Sequence, residues 1–159
     1  MSQQSKRLVQ MVEEALAESS IGYSDLSSVA CTVGPGSFTG IRIGLATARA
    51  IGFAANIPVN GFSSLAAVAY AEIEAGKKQV KAILNAGKGE AIIQDFNEKL
   101  EELSAPNLVK MEKDMAISHP TAYMLAKLAA LYPHKAVEPL PFYVRPPDAK
   151  LPQGINSAP

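Results

Sequence analysis

Apolar residues Leu8, Met11, Val12, Ala15 and Leu16 recur at three- and four-residue intervals, with Lys6, Arg7, Glu13, Glu14 and Glu18 on the faces between them. That spacing predicts an amphipathic helix over residues 5–19 with Ser5 as its N-cap. The pattern breaks at Gly22, where Tyr23, Ser24 and Asp25 supply turn chemistry, and residues 26–33 then lead into the apolar run Val29-Ala30-Cys31-Thr32-Val33. A run of this length bounded by turn residues reads as a buried strand ending at Gly34. Residues 39–55 hold no proline, are rich in Ala, Ile and Leu, and are stopped by Asn56 and Pro58, so they predict a second helix.

A short strand follows at 57–61, and Ser63 or Ser64 caps a third helix over 65–74 that Gly76 closes. Residues 80–85 and 90–96 are apolar runs joined by Ala86-Gly87-Lys88-Gly89, a hairpin signal, with a further short strand near Leu108 and Val109. A last helix is predicted over 121–132, on the apolar positions Ala122, Leu125, Ala126, Leu128 and Ala129. Pro139, Pro141, Pro146, Pro147 and Pro152 then prevent ladder pairing, so the final twenty residues are expected to lie extended over the surface. Strands alternating with helices define an α/β chain. It divides into a first lobe at 1–76, a second lobe at 77–138 and a proline-rich segment at 139–159.

Composition narrows the class. The 159 residues are 48% hydrophobic and 19% charged, which is globular usage with enough apolar material for a core. Fifteen basic and fifteen acidic side chains cancel, so no net field attracts a phosphate backbone, and any nucleic acid would have to be gripped by a partner. The single cysteine, Cys31, has no internal disulfide partner, which fits a reducing, cytoplasmic setting. The apolar stretch from 43 to 59 is interrupted by Arg49, Asn56 and Pro58 and falls short of the roughly 20 residues that span a bilayer. The opening residues run into an amphipathic pattern and not into an apolar signal core.

The candidate chemistry lies in Gly34-Pro35-Gly36-Ser37-Phe38-Thr39-Gly40, between a strand and a helix. Such a loop can aim backbone N–H groups and a helix N-terminus at an anion, which makes Gly34, Gly36, Ser37, Thr39 and Gly40 candidate anion or nucleotide contacts. The Walker pattern fails, because Ile41 and Arg42 stand where Lys and Ser or Thr are required. The three-glycine dinucleotide pattern fails at Thr39. A nucleophilic Ser37 would need glycines two residues to either side, where Pro35 and Thr39 stand. The alternative reading is conformational, with glycines chosen for backbone shape and Ser37 or Thr39 capping the helix. His119 and His134, the only histidines, are not spaced as a zinc pair, and no metal site is expected. Gly40, Gly44, Ala48 and Gly52 repeat every fourth residue of the second helix as one small-residue stripe, which predicts close approach of another backbone and a helix buried nearly all round.

The stretch from Gly34 to Ala69, GPGSFTGIRIGLATARAIGFAANIPVNGFSSLAAVA, resembles the signature of the bacterial TsaB (YeaZ) family. The resemblance extends back over residues 6–17 and returns at Leu140-Pro141-Phe142-Tyr143-Val144-Arg145-Pro146-Pro147-Asp148-Ala149-Lys150. It implies the actin-like, sugar-kinase-like (ASKHA) fold, with an incomplete first lobe and a reduced second lobe. It also implies a non-catalytic scaffold for the homologous catalytic subunit TsaD, joined by the ATPase TsaE, in making threonylcarbamoyladenosine beside the tRNA anticodon. In that setting the first two helices pair two copies or bind TsaD, placing Leu8, Met11, Val12, Ala15, Gly40, Gly44 and Ala48 at the interface. ATP would enter only through the partner complex, and tRNA would be met only indirectly.

Three departures accompany the resemblance. Family members open with strands carrying an acidic phosphate-loop motif, whereas this sequence starts at the first helix, as though truncated. Asn85-Ala86-Gly87-Lys88-Gly89-Glu90 stands where Asp-Ala-Arg followed by Gly-Glu is usual. The stretch over 112–121 is short. The missing strands predict an unpaired sheet edge and a chain that dimerises or needs a partner. The competing readings are a glycoprotease-like peptidase, an ATP-dependent acyl transferase component, and a decayed copy without function.

Overall fold

The computed structural model describes residues 3–144. The end of the closing motif, from Arg145 onward, lies outside them. Helix α1 spans Gln3–Glu18, so Ser5 sits inside the helix and not at its cap. A single 3-10 turn at Tyr23–Asp25 leads into strand β1, Val29–Gly34. Helix α2, Phe38–Ala55, ends where Asn56 takes the left-handed conformation at φ 54°, so the asparagine that marks the stop also terminates the backbone. Strand β2, Val59–Ser63, pairs with β1 in parallel, Val29 opposite Val59 and Thr32 opposite Phe62.

Helix α3, Ser64–Glu74, follows directly, with the Ser63 side chain accepting from the Ala66 N–H. Strands β3, Gln79–Gly87, β4, Glu90–Asn97, and β5, Asn107–Lys110, form a separate antiparallel sheet in that order. The β3–β4 hairpin closes on Lys88 and Gly89, both at positive φ (54° and 74°), the two-residue turn whose twist suits a hairpin. Helix α4, Ala122–Leu131, is capped by Thr121, whose hydroxyl accepts from the Met124 N–H at 3.2 Å.

The larger core lies between these elements. Ser64 through Tyr70 of α3 are all buried, packed with Phe62, Val80, Ala82, Leu84, Ile92, Phe96 and Leu128. This core continues across residue 76. The helix enclosed on all sides is therefore α3 and not α2, contrary to the expectation from the small-residue stripe. Alanines at 66, 67 and 69 let the neighbouring elements approach α3 closely, and an apolar helix of this kind is stable only when covered. In α2 one stripe is buried, Ile41, Leu45, Ala48 and Gly52, against Cys31 and Val33 of β1. Phe53 stands 91% exposed on the same helix.

Tyr70 ties the main core to its rim. It is buried, and its hydroxyl donates to Glu74 Oε1 at 2.7 Å, while Lys127 Nζ of α4 stands 3.6 Å from the same oxygen. Burial, reinforced by the hydrogen bond and negative charge of Glu74, pushes the Tyr70 pKa up to about 12. A pKa raised on folding means that the unfolded chain releases its proton first. The stabilisation is thus complete below pH 10 and is lost as pH climbs from 10 towards 12. Chemical denaturation at a series of alkaline pH values should show stability falling across that window in the wild type and none of this component in Tyr70→Phe. At neutral pH the variant should be about 1 kcal/mol less stable. Identical alkaline profiles would contradict this account of Tyr70.

Candidate functional site

The glycine loop places Gly34, Gly36, Ser37, Thr39 and Gly40 in one turn at the start of α2. Ser37 is the N-cap, its Oγ accepting from the Gly40 N–H at 3.3 Å, so the capping reading has a bond behind it. Gly34 is buried with φ 115°, a conformation that side chains disfavour. A Cβ there would overlap the carbonyl oxygen of Phe142 and lie 2.9 Å from Ile41 Cδ1. The first glycine therefore makes room for the C-terminal segment, a role that its neighbours in sequence do not reveal.

That segment is held along its length. Val137 exchanges hydrogen bonds with Gly61, the Arg49 guanidinium donates to the Pro139 carbonyl, and the Phe142 N–H donates to the Val33 carbonyl at 2.8 Å. Arg42 Nε donates to the Tyr143 hydroxyl at 3.1 Å, and its guanidinium lies 3.8 Å above the centre of the Phe38 ring. The Phe38 and Tyr143 rings are 5.1 Å apart. Both arginines of α2 thus hold residues 90 and 101 positions away. The sequence contained a trace of this connection in Leu140-Pro141-Phe142-Tyr143, but spacing along the chain cannot pair segments so far apart.

The proposed interface residues separate into four groups. Leu8 and Val12 are half-buried, while Met11, at 52%, and Ala15 are exposed. Ala48 lies in the core against β1, so only part of the stripe is free. Gly52 supplies the close approach within the chain, since a Cβ there would overlap Val59 Cγ2 and lie 3.0 Å from the Ile57 carbonyl oxygen. Gly40 would meet only its own cap residue Ser37, and nothing lies within 4 Å of a Cβ at Gly44.

Between α1 and α2 runs a groove of about 840 Å³, lined by Val9, Tyr23, Ile43, Ala50, Ile51 and Ala54 among others. Ile43, Ala46 and Ala50 point away from the side of α2 that covers β1, because helical stepping of about 100° per residue sets them opposite Ile41, Leu45 and Ala48. The helical pattern in α1 predicted an apolar face, but the groove depends on how α1 crosses α2. Cys31 is buried; burial pushes its thiol pKa up, with Arg49 opposing, so it is a neutral and poorly nucleophilic group at physiological pH. Among the described residues no three His, Cys, Asp or Glu side chains gather as a metal site, and no helix is long and apolar enough to cross a membrane.

Residues 2–149 match the family model described as TsaD, tRNA N6-adenosine threonylcarbamoyltransferase. The tRNA threonylcarbamoyladenosine biosynthesis protein TsaB of Haemophilus influenzae is 42% identical over 69 residues, 43% of this chain and 29% of that protein. TsaB of Escherichia coli is 35% identical over 92 residues, 57% of this chain and 40% of that protein. The chain thus spans less than half the length of these curated relatives. The solved structure of YeaZ from Pseudomonas aeruginosa superposes with a TM-score of 0.72 at 23% identity, covering 89% of this chain and 84% of that one. The expected fold class, actin-like and sugar-kinase-like, is borne out by these matches.

Proposed function

Because the chain belongs to the TsaB (YeaZ) family, within the wider TsaD family, we propose that it is a non-catalytic scaffold in tRNA threonylcarbamoyladenosine synthesis. Its work is to bind a TsaD-like catalytic subunit, with a TsaE-like ATPase joining the assembly. ATP and tRNA are handled by those partners in the cytoplasm.

The observation that carries this reading is the apolar groove between α1 and α2, beside the open glycine Gly44. An apolar groove rimmed by polar residues is the form that accepts a partner helix, and a glycine lets that helix approach closely. The chemistry of the loop supports the same conclusion. Ser37 is engaged as a helix cap, and Arg42 is engaged with Phe38 and Tyr143, so neither is poised at a reacting centre.

The test is Gly44→Leu. Nothing in the chain meets a Cβ at this position, and leucine is about 1 kcal/mol better than glycine in a helix, so the fold should survive. Affinity for a TsaD-like subunit, read by calorimetry or pull-down, should fall at least tenfold, because the larger side chain holds the partner helix off. Undiminished binding by Gly44→Leu, or threonylcarbamoyl transfer by the isolated chain, would defeat the scaffold reading.

A further inference from the structure

The groove between α1 and α2 is apolar along its length and charged at one end. On α2 its wall includes the row Arg42, Ala46, Ala50 and Ala54, spaced four residues apart and so stacked on one face. Three alanines make that wall low, so a helix laid in the groove comes close to the α2 backbone. Arg42 closes the row near the N-terminal end of α2, and no other lining residue among those described is charged. The positive end of the α2 dipole is one turn away.

Arg42 is held in position without an acidic partner. Its Nε donates to the Tyr143 hydroxyl at 3.1 Å, and its guanidinium lies 3.8 Å from the centre of the Phe38 ring. A guanidinium carries five N–H donors, so the bond to Tyr143 leaves those on Nη1 and Nη2. Among the described residues no carboxylate pairs with Arg42, whereas Arg7 of α1 is paired with Glu14. The two terminal nitrogens form a fork that takes a carboxylate through two parallel bonds. Stacking and the Tyr143 bond already fix the side chain, so little rotamer freedom is left to lose on binding.

We propose that Arg42 is the specificity-determining contact of this groove, and that it takes an Asp or Glu carboxylate from a helix of the TsaD-like subunit seated there. The inference rests on the scaffold reading above and adds the chemistry of the partner. Its helix carries apolar residues along one face and one acidic side chain at the end that meets Arg42. Seating that apolar face strips water from the guanidinium, and a charge desolvated in this way needs a carboxylate opposite it. A second copy of the chain supplies none from the same surface. No Asp or Glu lines the groove among the described residues, so groove laid on groove about a two-fold axis leaves both guanidiniums without an acid. The charge therefore favours a partner of different sequence over a copy.

Tyr143 acts through Arg42 as a positioning residue. Its hydroxyl sets the direction of the fork, so the C-terminal segment that Gly34 lets pass governs the docking contact from 101 positions away.

The experiment is calorimetry of the full chain against the TsaD-like subunit over a salt series. Wild-type affinity should fall as salt rises towards about 1 M, where the screening length is about 3 Å. Arg42→Gln should bind roughly tenfold more weakly at low salt and lose most of that salt dependence, and Arg42→Glu should bind more weakly still. Arg42 is exposed, so both variants should fold. Tyr143→Phe breaks the same hydrogen bond but keeps the cation; it should lose about threefold and retain the salt dependence. Binding by Arg42→Glu should return when one acidic residue of the partner helix is changed to lysine. Three results would each overturn the proposal and leave the scaffold reading standing: Arg42→Gln matching the wild type in affinity and salt dependence, Tyr143→Phe losing as much as Arg42→Gln, or no partner change to lysine restoring Arg42→Glu. Weakened self-association of Arg42→Glu with undiminished subunit binding would assign the groove to a second copy and overturn it too. A wild type that does not bind the subunit would defeat the scaffold reading itself, and this inference with it.

Discussion

Gly34→Ala is expected to destabilise the chain by about 3 kcal/mol. Holding a non-glycine residue at positive φ costs on the order of 1–3 kcal/mol. At this position the added methyl would also overlap the Phe142 carbonyl oxygen and crowd Ile41 Cδ1 at 2.9 Å. A backbone carbonyl cannot rotate away as a side chain can, so relief requires the C-terminal segment to lift. Lifting it strains the Phe142–Val33 hydrogen bond and the contacts of Tyr143 with Arg42 and Phe38. Urea denaturation should show the midpoint fall by about 1–3 M for a slope of about 1–3 kcal/mol/M. Limited proteolysis should cut near residues 139–144 sooner than in the wild type. A variant within about 0.5 kcal/mol of the wild type would show that the loop and the C-terminal segment are not packed as described.

Phe62→Ala is expected to cost more, about 3–5 kcal/mol, the usual range for removing a buried phenylalanine. Phe62 is 1% exposed, at the end of β2 where the strand passes directly into α3. Its ring belongs to the cluster that joins α3 to Val80, Leu84 and Phe96 of the antiparallel sheet. The cavity would therefore open where the two sheets share one core. Domains of this size are stable by about 5–15 kcal/mol, so this one substitution would remove a large share. A thermal melt that loses cooperativity, or a chain recovered only in aggregates, meets the expectation; a midpoint shift of less than about 3 °C contradicts it.

Both predictions rest on contacts between distant segments, and these mark the limit of what the sequence disclosed. The periodic elements were legible because their causes are local. Period-3.6 apolar spacing in α1, the absence of proline from α2, the Asn56 stop and the Gly87-Lys88-Gly89 turn all act within a few residues. The Ser37 cap was legible for the same reason. The stripe of small residues was visible, but its use was not: Ala48 and Gly52 are occupied inside the chain, while Gly44 stands open. Only the packing of α2 on β1 and β2 separates those cases.

Sequence alone, then, determined the order and type of the elements, the hairpin turn, the capped glycine loop and the resemblance to the TsaB family, since each depends on residues adjacent in the chain. Tertiary structure decided which helix is enclosed, α3 and not α2, because enclosure depends on what other elements present. It decided that Arg42 and Arg49 hold the C-terminal segment, and that Gly34 exists to let that segment pass. It also decided that Gly61 of β2 pairs with Val137, because strand pairing joins segments whose separation along the chain carries no record of their meeting.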